Sequence, residues 1–216
     1  MSRISAGIFR LLVLCSAVPT VAGTLSVQAM LANHEPFAGA VVTVRAEASR
    51  APVAPISAIL DQINLAFVPD IIVIPVGSTV EFPNSDSVSH QIYSFSPTKR
   101  FQLPLYHGKP YPPVHFDQAG VVTLGCNIHD RMVGYIVVTD AAYFGRTDAR
   151  GIWSVTNVPR GTYHVSLWHP LLRDTAASLD RDVSVMGDES KNVTVQLAQA
   201  LRPAPLQATA RTRDQY

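Results

Sequence analysis

From Thr24 to about residue 199 the chain is a succession of short β-branched or aromatic runs, each closed by Pro, Gly, Asn or Asp. None of its periodic segments reads convincingly as an amphipathic helix. "TLSVQAML", "GAVVTVRAE", "INLAFVP", "DIIVIPVGSTVEF", "HQIYSFS", "GVVTLGC" and "GYIVVTD" follow one another with only turn residues or short linkers between most of them. Strands this short and this dense predict an all-β protein, an antiparallel sandwich or barrel. "SRAPVAP" reads as a linker, and "FQLPLYHGKPYPPVHFDQAG", with its four prolines, as mostly extended loop crossing one edge or end of the sandwich. From about Ala141 the character shifts. "TDARGIWSVTNVPRGTYHVSLWHP" and "LDRDVSVMGDESKNVTVQLA" predict further strands around their own turns, and residues 200–216 have no apolar period and predict a disordered tail. Two small β modules are expected.

Charge excludes some partners. Lys and Arg number 17 against 16 Asp and Glu, for a net charge of +1, and the cations are scattered, so nothing draws this surface to nucleic acid or anionic lipid. The N-terminus carries Arg3 and Arg10, an apolar run from Leu11 to Val18, then Pro19 and the small residues Ala22 and Gly23. That order predicts a signal peptide over residues 1–23, cleaved near Gly23. The run is shorter than the roughly 20 residues that span a bilayer, so no integral membrane span is expected. Leu14 is too bulky for lipoprotein processing at Cys15, and Cys15 is expected to leave with the signal. Cys126 is then the only thiol of an exported protein. It is a buried inert thiol, a cross-link to another chain, or a thiolate held by a metal.

"LGCNIHDRMVGYIVV" sets Cys126, His129 and Met132 at three-residue intervals between two strands. A thiolate, a thioether and an imidazole suit copper and discourage Mg, Ca or Mn, while zinc gains little from a methionine. A His2Cys site with a weak axial Met needs a second histidine from elsewhere. His90, in "EFPNSDSVSHQIYSF", is the best candidate. It lies in a short polar loop 36 residues before Cys126, which leaves room for two or three strands and lets both loops meet at one end of a sandwich. His107 and His115, in the Pro-rich crossing, read as surface residues. His34 and His164 read as turn and strand residues, and His169 as a structural residue or one packed on the Trp168 ring.

"CNIHDRM" has the Cys-x2-His-x2-Met loop of amicyanin-type cupredoxins, and "VEFPNSDSVSHQIYSF" resembles the segment that brings the first histidine in plastocyanin-like proteins. The likeness covers about residues 59–139. It implies a cupredoxin-like Greek-key β-sandwich in which His90, Cys126 and His129 are equatorial ligands of one copper ion, cycling between Cu(I) and Cu(II), and Met132 is the axial one. It also implies that Asn84 helps to tie the two ligand loops together. The longer string from "FPNSDSVSHQIYSFSPTKRFQLPLYHG" to "GCNIHDRMVGYIVVTD" is similar to exported bacterial proteins labelled "methylamine utilization protein", and the signal peptide predicts a periplasmic location.

"VQAMLANHEPFAGAVVTVRAE" and "TDARGIWSVTNVPRGTYHVSLWHP" together resemble the carboxypeptidase regulatory-like, or transthyretin-like, β-sandwich. Because the two pieces flank the cupredoxin-like segment, the resemblance implies a discontinuous sandwich, residues 24–50 completed by 141–199. The alternative is that residues 24–50 supply the first strands of the cupredoxin sheet. The expected function is periplasmic electron transfer through a type 1 (blue) copper centre. The His129 edge would face a redox partner, a dehydrogenase or c-type cytochrome, within an apolar patch of Ile128, Met132 and Val133. The alternatives are copper delivery without a carrier role, or a metal-free envelope binding module. No enzyme activity is expected, because copper oxidases and reductases need further histidine clusters such as His-x-His and the sequence has none.

Overall fold

The computed structural model describes residues 22–48, 52–108 and 111–204. The expected signal up to residue 21 and the tail from residue 205 lie outside the described residues. Among the described residues seventeen strands carry the fold. The first twelve are β1 (Ala22–Met30), β2 (Val41–Ala46), β3 (Ser57–Ile59), β4 (Asp61–Ile63), β5 (Ala66–Val68), β6 (Ile71–Pro75), β7 (Ser78–Glu81), β8 (His90–Ser96), β9 (Lys99–Tyr106), β10 (Val114–Phe116), β11 (Gly120–Gly125) and β12 (Val133–Thr139). Then come β13 (Tyr143–Arg146), β14 (Ile152–Pro159), β15 (Gly161–Trp168), one short helix α1 (Ala176–Leu179), β16 (Arg181–Val185) and β17 (Ser190–Gln196).

The protein is all-β and its sheets stack as sandwiches around two main cores. A five-stranded sheet, β6-β12-β11-β8-β9, lies with a three-stranded one, β10-β7-β3, and the core they share includes Ile92, Phe116, Val122, Leu124 and Ile136 from strands and Phe82, Cys126 and Met132 from loops. A three-stranded sheet, β14-β1-β17, lies with a four-stranded one, β13-β2-β15-β16, around Leu25, Val27, Val42, Val44, Tyr163, Val165 and Val195. β1 shows how the pattern works: its residues alternate partly exposed and buried without a break, so one face of Leu25, Val27 and Ala29 enters the core. β1 and β2 pair with strands that follow Ala141 and share no sheet with β6–β12.

β12 is apolar along nearly its whole length because both of its faces are covered. Ile136 and Val138 enter the core that holds Cys126, whereas Val137 meets Ile71 and Val41 of β2, and the Tyr135 ring stands edge-on to Trp168 at 5.7 Å. Arg146 fastens the same junction, donating to the carbonyls of Gly39 and Ile71 and pairing with Asp70.

Three local features go beyond or against the sequence expectations. Part of the Pro-rich crossing is a strand: β9 includes Pro104 and is the outer strand of its sheet, where a residue without an N–H is tolerated. β13, which the apolar pattern does not single out, closes the edge of the four-stranded sheet on β2. His169 packs edge-on against Phe37 at 5.1 Å, because the Trp168 ring is turned to Tyr135.

His164 sits between two carboxylates, 2.8 Å from Asp182 and 3.2 Å from Asp180. The hydrogen bond to Asp182 raises its pKa above the usual 6.5, burial opposes this, and Asp180 adds to the rise. The stabilisation is full below the unfolded value and is lost as pH rises through the raised folded value. An NMR titration is expected to place the His164 midpoint above 6.5 and Asp182→Asn to bring it down; a midpoint that Asp182→Asn leaves in place contradicts the pairing.

Candidate metal centre

The antiparallel pairing of β8 with β11 sets Tyr93 opposite Gly125. The first residue of β8, His90, therefore lies at the same sheet end as the loop that leaves β11 at Cys126 and enters β12 at Val133. That loop is short and tied across itself by the Met132 N–H donating to the His129 carbonyl at 2.9 Å. Gly125 leaves room for the Tyr93 ring: a Cβ on it would come within 2.6 Å of that ring, which would have to shift.

Three donors converge. His90 Nδ1 and His129 Nδ1 are 3.0 Å apart, and Cys126 Sγ lies 3.9 Å from the first and 3.7 Å from the second. Among the described residues these are the one group of three or more His, Cys, Asp or Glu side chains whose ligand atoms gather, all within 4.8 Å. His90 and Cys126 are buried, whereas His129 keeps part of its ring in solvent. Met132 is buried in the same core as Cys126.

A carboxylate stands behind His90. Its Nε2 lies 3.0 Å from Asp86 Oδ2, which also accepts the Leu65 N–H at 2.7 Å, while Asp86 Oδ1 accepts the Ser87 N–H. An ionised carboxylate only accepts, so the proton is on Nε2 and the Nδ1 lone pair points at Cys126 and His129. Leu65 sits in the tight turn joining β4 to β5, with positive φ at Asn64 and Leu65, so the hairpin tip holds Asp86 from one side. Burial alone would raise the Asp86 carboxyl; the hydrogen bonds from Leu65, His90 and Ser87 outweigh it and hold the pKa below the usual carboxylate value. At His129, burial and then the neighbouring His90 lower the imidazole pKa, with Asp86 opposing, so the ring is biased toward its neutral, lone-pair-bearing form.

Asn84 supports the same loop. Its amide donates to the carbonyls of Val88, at 3.0 Å, and Tyr106, at 2.9 Å, and its Oδ1 accepts the Asp86 N–H. These bonds tie the His90 loop to the end of β9. Tyr106 in turn donates to the Phe82 carbonyl at 2.6 Å and accepts from Gln62 at 2.5 Å, and burial pushes its phenol up to about 12.

The structure thus brings together His90, Cys126 and His129, with Met132 in the same core as Cys126 and Asn84 bonded to the His90 loop. His107 is exposed and donates to the Asp86 carbonyl, and His115 is exposed on β10. Ile128 is half exposed, but Met132 is 1% exposed and so contributes nothing to a surface patch. Sequence reasoning missed Asp86, Tyr106 and Gln62. A carboxylate four residues before a candidate ligand, in the same polar loop, is the signal that finds Asp86.

The donor set tests which ion fits. One thiolate and two imidazole nitrogens, with a thioether in the same core and no carboxylate pointing inward, match a soft to borderline cation such as copper and leave Mg, Ca or Mn without oxygen ligands.

No protein-family model matches the chain, and no curated protein does. The structural neighbours are cupredoxins, at low TM-score and low coverage. A purple cupredoxin from Nitrosopumilus maritimus shares 29% identity, with 38% of this chain and 99% of that one aligned and a TM-score of 0.35. A copper-containing nitrite reductase from Thermus scotoductus SA-01 shares 28% identity over 45% of this chain and 25% of that one, with a TM-score of 0.36. A reduced Cu(I) form of an amicyanin variant shares 22% identity over 45% of this chain and 98% of that one, with a TM-score of 0.35.

Proposed function

We propose that this chain is an exported, periplasmic electron-transfer protein that holds one copper ion through His90, Cys126 and His129, with Met132 as a weak axial donor. The convergence of two imidazole nitrogens and one thiol within 4.8 Å carries this reading. Bound copper supplies a one-electron couple between Cu(I) and Cu(II). The residues around it do the rest. β8, β11 and β12 hold three of the donors at fixed strand ends, and the loop that carries His129 is short, so the donor positions change little with the charge at their centre. Rigid scaffolds with functional loops at one end suit this task. Cys126 is 3% exposed, so its thiol is largely shut off from water. His129 alone of the three reaches solvent, with half-exposed Ile128 beside it, which makes its ring edge the natural contact for a dehydrogenase or cytochrome partner.

Residues 59–139 are the copper unit in this reading, inserted into a second sandwich of residues 24–50 and 141–199 that braces it through the Tyr135–Trp168 and Arg146 contacts. The reading assigns no enzyme activity. Voltammetry of copper-loaded protein is expected to give a reversible one-electron wave at a stoichiometry of one copper per chain. Copper uptake without a reversible wave would instead favour delivery, and failure to take up copper would sink both.

A further inference from the structure

We propose that Asp86 is a positioning residue for this centre, fixing the His90 ring in the tautomer that offers Nδ1 to the metal and lowering the reduction potential by its negative charge. The inference rests on the copper reading above and concerns a residue that is not itself a ligand. Asp86 is held more firmly than a surface carboxylate: its side chain is 9% exposed, and both oxygens accept backbone N–H groups, from Leu65 at 2.7 Å and Ser87 at 2.8 Å. Its own N–H donates to Asn84 Oδ1, and its carbonyl accepts from His107. Every polar group of the residue is therefore engaged, and the carboxylate can neither rotate away from His90 nor release it cheaply.

Two consequences follow from this geometry. With Nε2 committed as a donor to Asp86, the lone pair of His90 is on Nδ1, the nitrogen 3.0 Å from His129 Nδ1 and 3.9 Å from Cys126 Sγ. The ring is then ready for a cation before one arrives. A carboxylate bonded to the far nitrogen of a ligating imidazole also makes the ligand more basic, and such outer partners change metal affinity by roughly 10- to 100-fold. At a site with few other full charges, the anion favours Cu(II) over Cu(I).

Two variants separate the two roles. Asp86→Asn keeps the shape and an acceptor oxygen but loses the charge; Asp86→Ala loses the acceptor. In metal-free wild-type protein, 15N NMR is expected to find His90 as the single Nε2–H tautomer, and Asp86→Ala to give a mixture of the two. In copper-loaded protein, Asp86→Asn is expected to weaken the preference for the oxidised ion about tenfold, a potential about 59 mV higher. An unchanged tautomer in Asp86→Ala overturns the proposal, as does an unchanged potential in Asp86→Asn. Failure of the wild type to bind copper would remove the copper reading, while the metal-free tautomer comparison would still judge the hold of Asp86 on His90.

Discussion

Cys126→Ser is expected to abolish the intense visible colour of the copper-loaded protein and to weaken copper binding by well over the roughly 100-fold that loss of an outer partner costs. A serine hydroxyl does not ionise near neutral pH and is a hard donor, so it supplies neither the charge nor the softness of a thiolate. Cys126 Sγ lies 3.7 Å from the His129 Nδ1 and 3.9 Å from the His90 Nδ1. Serine is nearly isosteric, so the metal-free fold is expected to survive, with a stability change of about 1 kcal/mol. The variant thus separates ligation from folding. Retention of the colour, or of wild-type affinity measured against a competing chelator, would remove Cys126 from the site.

The second large effect is expected at Asn84. Asn84→Ala removes the amide that bonds two backbone carbonyls and the oxygen that accepts the Asp86 N–H, all at a residue 4% exposed. A buried polar group left without a partner costs about 1–3 kcal/mol, and water entering the gap recovers part of the total. The expected destabilisation of the metal-free protein is on the order of 3 kcal/mol, with the His90 loop losing its tie to β9. Denaturant unfolding measures it. A loss below about 1 kcal/mol would mean that the loop is held mainly by the β4–β5 turn through Asp86.

Much of this architecture is written in local pattern. The alternation of β1, the apolar run of β12 and the spacing of Cys126, His129 and Met132 are all properties of adjacent residues, which is why strands and loop were legible. What failed depends on long-range packing. Pro104 argues against a strand until β9 is known to lie at a sheet edge. The spacing of Met132 says that it shares a loop with His129 but not that it turns inward, to 1% exposure. The orientation of Trp168 toward Tyr135 is set by the junction of the two cores, so His169 finds Phe37 instead. Likewise Tyr106 meets Gln62 across 44 residues of sequence, and no local pattern marks either as support for the His90 loop.

The central claim is that His90, Cys126 and His129 bind copper as one thiolate-bearing centre with Met132 as its weak member. One visible and EPR spectrum of the oxidised, copper-loaded protein tests it most directly. A strong thiolate-to-copper charge-transfer band together with the narrow copper hyperfine splitting of a type 1 site is expected. A colourless copper-loaded protein with an ordinary, wide hyperfine splitting would contradict it.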